Sequence, residues 1–384
     1  MMDNTGVTTA TDAHITVTSS GLVTPFYADF LDERRRRIAK IVLEYVIVFG
    51  IAILGIVTNI LVILVYSRQG FKEGVAISMT TIAVWDLIKA LCGVFECFTG
   101  ILSLFDPAAA FSWSNVSIVV FNYLLCFSSY VTSVMAAYVA VERCLCVCMP
   151  LKVKWLLTPR VTLTACLVIS VVVFCCFAVM FGIYDIRWEW SAEFNATVAV
   201  YRKNQFYIDN EEPLFQYYNL SGILWPFVSF VVILIATIII TFKLRQSSKF
   251  RARQSSFVSR SHSIQMRTFS KNNSKSEQQD QERGNQQPKQ QLSSRDQQVV
   301  KMLLVIIIIY IVCLSPRIAL YIGKYIVHDF YFLRRYHHLF GFVIYWLWIA
   351  DFSNGAVNFF VFYSMSSSFR STCREMFSSH NDPS

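Results

Sequence analysis

Residues 299–322 read VVKMLLVIIIIYIVCLSPRIALYI. Between Lys301 and Arg317 no side chain is charged, and a bilayer core asks for roughly 20 predominantly apolar residues per helix. Six further stretches of the same character lie on either side, at about 41–66, 75–101, 116–141, 161–183, 222–242 and 339–363. In hydrocarbon every backbone amide must be satisfied within its own segment, so stretches of this length cross as helices. The chain reads as an all-α membrane protein, a seven-transmembrane helix bundle without internal repeats.

Composition points the same way. Of 384 residues, 55% are hydrophobic and only 15% charged, against about 25% charged in a soluble domain. With 32 Phe, 18 Tyr and a mean hydropathy of +0.47, too little charge remains to cover a water-facing surface. These figures argue against a soluble enzyme, a disordered chain and a disulfide-stapled module. The 11 cysteines fall mostly in or beside apolar runs, where a small apolar thiol is the simplest reading. The net charge of +9 sits largely in loops flanking the spans, where it sets topology and does not imply nucleic acid. No metal-ligand cluster, phosphate loop or nucleophile–base set is evident, so neither enzymatic chemistry nor a cofactor is expected.

Most lysines and arginines fall on one side if the N-terminus is outside, as cytoplasmic loops require; Arg34 to Arg37 oppose that orientation. Three glycosylation sequons favour it, at Asn115, Asn195 and Asn219, all on the proposed outer side. The expected layout is an extracellular tail over 1–40, the bundle over 41–363, and a short cytoplasmic segment over 364–384. Residues 1–30 lack an apolar core with a cleavage site, so span 1 is expected to serve as its own insertion signal. Residues 243–298, rich in Gln, Ser, Arg and Lys, are expected to form a disordered inner loop. Within it Ser256, Ser263 and Ser270 each follow an arginine by three places, a spacing that suits basophilic kinases.

Polar residues at membrane depth are costly and so usually functional. Span 1 carries Gly55 and Asn59 in GIVTN, span 2 ends IAVWD at Asp86, and span 3 finishes Glu142-Arg143-Cys144. Span 5 has Pro226, span 6 Cys313-Leu314-Ser315-Pro316, and span 7 Asn354 and Asn358. In this order they resemble the rhodopsin-like (class A) G-protein-coupled receptors, over roughly residues 40–377. The stretches SRQGFKEGVAISM, ERCLCVCMPLKVKWLLTPR and AVNFFVFYSMSSSFR look like gastropod chemosensory receptors, with FMRFamide-type peptide receptors next.

The resemblance implies a plasma-membrane receptor that passes a chemosensory cue to a heterotrimeric G protein as span 6 swings outward. Glu142 would hold Arg143 at rest, with Pro316, Asn358, Phe362 and Tyr363 in the activation switch. Asp86, Thr132, Asn354 and Asn358 match positions that hold a sodium ion and water, although Lys89, three residues after Asp86, would compete with the ion. Met365, Phe369, Met376 and Phe377, with Arg370 and Arg374, resemble the short interfacial helix after span 7, with Cys373 a palmitoylation candidate. Arrestin, kinases and membrane lipids are the further implied partners.

Four positions depart from that pattern. The cysteine expected 25 residues before Arg143 is Ile118, and residues 184–221 hold no partner cysteine, so no disulfide is expected and the second outer loop reads as untethered. The span 6 tryptophan is Leu314, the inner tyrosine of span 5 is Leu234, and the last tyrosine stands one place late at Tyr363. Phe352 at the retinal-lysine position argues against an opsin, and Leu125 argues against an amine receptor of the usual design. Arg317, Glu96 and Asp351 remain as charges near the expected ligand cavity. Either they meet a small polar or zwitterionic ligand or a short peptide, or Arg317 pairs with Asp351 across spans 6 and 7. Two other roles stay open: a neuropeptide receptor of the same fold, and an inverted ligand-gated odorant channel, which would place Arg34–Arg37 inside.

Overall fold

The computed structural model describes residues 15–17, 23–25, 33–149, 152, 155, 157–269, 294–327, 329–330 and 335–378. After a short antiparallel pairing of Ile15–Val17 with Val23–Pro25 come four helices: α1 (Arg34–Gln69), α2 (Gly74–Leu102), α3 (Pro107–Cys148) and α4 (Pro159–Gly182). A hairpin of β1 (Tyr184–Ser191) and β2 (Ala196–Lys203) follows, then α5 (Glu211–Phe269), α6 (Ser294–Ile326), α7 (His337–Met365) and α8 (Ser367–Ser378). Six of the described helices are long and apolar enough to cross a bilayer. The 29-residue α7 packs beside them as the seventh.

Packing closes the helices into a ring around α3. α1 lies against both α2 and α7, α6 lies between α5 and α7, and α3 touches α2, α4, α5 and α6. The sequence of α3 suits that place: Leu125, Phe127, Tyr130, Val131, Met135 and Ala140 are all fully buried. α4 shows the opposite case, with Leu167, Val168, Val171 and Val172 exposed; a helix apolar all round is stable only where its outer face meets lipid.

Helix ends follow their capping residues. The Thr158 hydroxyl accepts from Val161 N at 3.4 Å, with Pro159 in the first turn. Asp106 does more than close a loop: its carboxylate accepts from Ala108 N and Ala109 N at 2.9 and 3.0 Å. That cap starts α3 at Pro107, over two turns before the apolar run expected at 116. α5 also differs from expectation. It continues to Phe269, well into the stretch read as a disordered loop. A nucleated helix extends cheaply, and the Lys, Arg and Gln that make this stretch polar are also good helix formers. Residues 270–293, with Ser270, most of the 1–40 tail and residues 379–384 lie outside the described residues, as do the side chains of Ser256 and Ser263.

Two glycines bring α2 and α7 together. A Cβ on Gly93 would come within 2.3 Å of the Phe352 ring, and one on Gly355 within 2.9 Å of the Asp86 carboxyl carbon. Any side chain there would force the helices apart.

The hairpin corrects the expectation of an untethered second loop. Its antiparallel register pairs Trp188 with Ala199, and the chain turns at Asn195, whose φ of 49° is left-handed. Ala199 N donates to the Ser112 hydroxyl of α3 at 3.1 Å, and Asn204 Nδ2 donates to Gly182 O at 2.7 Å. The Tyr123 and Tyr184 hydroxyls meet at 3.3 Å, and Phe111 packs on Phe194. Across the strands Arg202 gives two bonds, of 2.7 and 2.6 Å, to exposed Glu189 and so holds its pKa below the usual carboxylate value. All 11 cysteines are free thiols; hydrogen bonds and rings hold this loop.

At the far end α8 turns back under α1. Gln69 Nε2 donates to Thr372 Oγ1 at 3.1 Å, and Phe369 and Phe362 both meet the Tyr66 ring edge-on. Phe369 and Cys373 are buried while Arg374 and Phe377 are exposed, the two-faced pattern of an interfacial helix.

Candidate functional site: a column of buried charge

Three polar layers run through the bundle between the hairpin end and the α8 end. Near α8, the Arg143 guanidinium bonds to the neighbouring Glu142 carboxylate, and both residues are buried. Ser78 of α2 adds a bond of 3.4 Å to the same carboxylate. Gly74 permits that approach, since a Cβ there would stand 3.2 Å from Glu142. Phe362 fills the space between α1 and α8, and Tyr363 stacks on Phe359 at 5.9 Å. Among the described residues, no hydrogen bond or cation–π contact joins either ring to Arg143. Pro316 lies one residue before the buried Arg317, inside α6.

The middle layer holds Asp86 and Lys89, 1% and 2% exposed, with Lys89 Nζ 2.6 Å from Asp86 Oδ1. Around them Asp86 Oδ2 and the Oδ1 atoms of Asn59, Asn354 and Asn358 are buried without a hydrogen-bond partner among the described residues. The Thr132 hydroxyl is turned onto its own helix and donates to Ser129 O at 3.1 Å. These residues do not fit a sodium ion: an ammonium already stands at bonding distance from the carboxylate.

Sequence reading missed one member of this layer. Tyr310 of α6 is 3% exposed, and its hydroxyl lies beside the Asn354 and Asn358 side chains of α7. Inside the run LLVIIIIYIVCL it reads as one more apolar residue; a single hydroxyl in that run was the available signal.

Toward the hairpin, Arg317 of α6 pairs with Asp351 of α7, both buried. Ser129 Oγ of α3 donates to the same Asp351 oxygen at 3.4 Å. The guanidinium also stands 5.3 Å from the centre of the Tyr130 ring, a cation–π distance, and the Tyr130 and Tyr321 hydroxyls bond across α3 and α6. Of the two readings of Arg317, the internal pair is the one present. Glu96 is different. Its carboxylate accepts from the Ser117 hydroxyl at 2.9 Å, its other oxygen has no partner among the described residues, and no described ion pair includes it.

The sequons fall in unlike places. Asn195 is exposed at the hairpin turn. Asn115 lies within α3, its amide donating to Phe111 O at 2.9 Å. Asn219 lies within α5, donating to Phe215 O at 3.0 Å and accepting from Lys324 at 3.1 Å, with Ser221 buried. At the other end, burial pushes the Cys373 thiol above its usual pKa.

The described residues contain no group of three His, Cys, Asp or Glu side chains that could hold a metal ion. No curated protein matches the chain significantly. A family model does, that of the serpentine type 7TM GPCR chemoreceptor Srw, over residues 46–380. That match takes in all seven helices, the three polar layers and α8, and the chain therefore belongs to the Srw family of serpentine seven-transmembrane GPCR chemoreceptors.

Proposed function

We propose that this chemoreceptor works in the plasma membrane by the rhodopsin-like (class A) scheme, with its N-terminus and hairpin outside. An extracellular chemical cue loosens α6 from α3 and α7, α6 swings outward at its far end, and Arg143 is uncovered for a heterotrimeric G protein. The observation that carries this reading is the buried Glu142–Arg143 pair at the end of the bundle opposite the hairpin. A charge pair buried there is stable only while it stays closed, and a guanidinium freed from it is a strong donor for a carboxylate or carbonyl of a partner.

The ligand is a small polar molecule or short peptide with an ammonium group, met by Glu96. Arg317 and Asp351 cancel each other, whereas Glu96 accepts from the Ser117 hydroxyl and has no counter-charge in any described ion pair. A buried carboxylate without a counter-charge is the natural seat for a ligand cation.

Three measurements test this. An epitope on Met1 is stained on intact cells, and Asn195→Gln removes a glycan, giving a faster-running band. In a screen of amines, amino acids and peptides for G-protein activation, Arg143→Ala abolishes every response found and Glu96→Gln weakens those to cations. An epitope accessible only after permeabilisation, or full responses in Arg143→Ala, refutes the scheme.

A further inference from the structure

We propose that Lys89 is a built-in counter-ion of Asp86, a cation fixed to the helix that takes the place of a diffusible sodium ion. Asp86 and Lys89 are three residues apart on α2, so their side chains share one face. The ammonium is 2.6 Å from Asp86 Oδ1, and neither residue is more than 2% exposed. The contact lies within a single helix, so it forms whenever α2 forms and requires no arrangement of the other six.

Packing also narrows the room for a free ion. Gly355 brings the α7 backbone so close that even a Cβ would stand 2.9 Å from the Asp86 carboxyl carbon. An ammonium carries three donors and one is on Asp86 Oδ1; Asp86 Oδ2 and the Oδ1 atoms of Asn354 and Asn358 stay buried without a hydrogen-bond partner among the described residues. A hard cation must shed water to enter such a site, while Lys89 is delivered there by the fold at a fixed local concentration. The consequence is a polar core whose cation cannot leave: it can swing, but the ion content of the medium does not reach it. The inference rests on packing, independent of ligand or G protein, and its test reads stability.

The test uses the purified full-length receptor in nanodiscs, melted in sodium chloride and in N-methyl-D-glucamine chloride at equal ionic strength. The wild type melts at the same temperature in both. Lys89→Met, which keeps the bulk and removes the charge, melts lower and gains a sodium-specific rise in Tm. Asp86→Asn/Lys89→Met recovers the lost stability and shows no sodium dependence. A sodium-specific rise in the wild type overturns the proposal, as does a Lys89→Met receptor indifferent to sodium. Should Lys89→Met fail to fold, Asp86→Asn and the double variant decide: stability lost in the single and regained in the double supports the pairing, and additive losses overturn it.

Discussion

Of the three ion pairs buried among the described residues of this bundle, two differ most clearly in what they join. Asp86 and Lys89 belong to one helix, whereas Arg317 and Asp351 tie α6 to α7. A local pair survives any rigid movement of its helix; a pair between helices must break when they separate. The difference divides the bundle into a part that holds and a part that gives. α2 and α7 are pressed together at Gly93 and Gly355 around the local pair. α6 meets α3 and α7 in this region through polar contacts, the Arg317–Asp351 pair and the Tyr130–Tyr321 hydroxyls, beside apolar packing of Leu320 on Phe340 and Leu347.

Breaking the cross-helix pair has the largest expected effect. Asp351→Ala leaves the Arg317 guanidinium buried and alone, at a cost of about 3–5 kcal/mol. Surface expression and the Tm of the purified protein fall sharply, and Arg317→Met/Asp351→Leu restores most of both. Packing between α2 and α7 is next. Gly93→Val drives a side chain into the Phe352 ring and costs about 1–3 kcal/mol; Phe352→Ala combined with it returns part of that loss of Tm, which separates a local clash from general damage.

How much of this was legible beforehand depends on what each feature is made of. The spans were plain because apolar runs of bilayer length have few other uses, and Glu142–Arg143 was plain because a local pair is written in the spacing of two residues; at Asp86 a sodium ion was expected, with Lys89 read only as its competitor. Arg317 and Asp351 stand 34 residues apart, so their pairing depended on how α6 meets α7, and both readings stayed open. Tyr130 and Tyr321 were missed because a tyrosine in an apolar run looks like packing until its hydroxyl finds a partner, and Tyr310 because its run is otherwise apolar. The hairpin had a signal that went unused: Ile186, Arg187, Trp188, Glu189 and Trp190 alternate apolar and charged, as a strand with two unlike faces does. The absence of a cysteine pair drew attention to a lost covalent tie and away from the hydrogen bonds that replace it. The extension of α5 was missed because polar composition was read as loop.

Smaller effects sharpen the contrast. Tyr130→Phe removes one hydroxyl bond between α3 and α6, worth about 0.5–1.5 kcal/mol. It lowers Tm modestly yet raises basal signalling, because it loosens the part that gives. Ser112→Ala takes one acceptor from the hairpin and costs no more than about 1 kcal/mol. It leaves basal signalling unchanged and shows only as faster hydrogen exchange in β2.

The most direct measurement is basal nucleotide exchange on a G protein by the purified Arg317→Met/Asp351→Leu receptor in nanodiscs. The account predicts exchange well above wild type, and its return to background when Arg143→Ala is added. Exchange at the wild-type level in the double variant, or a rise that persists without Arg143, would contradict it.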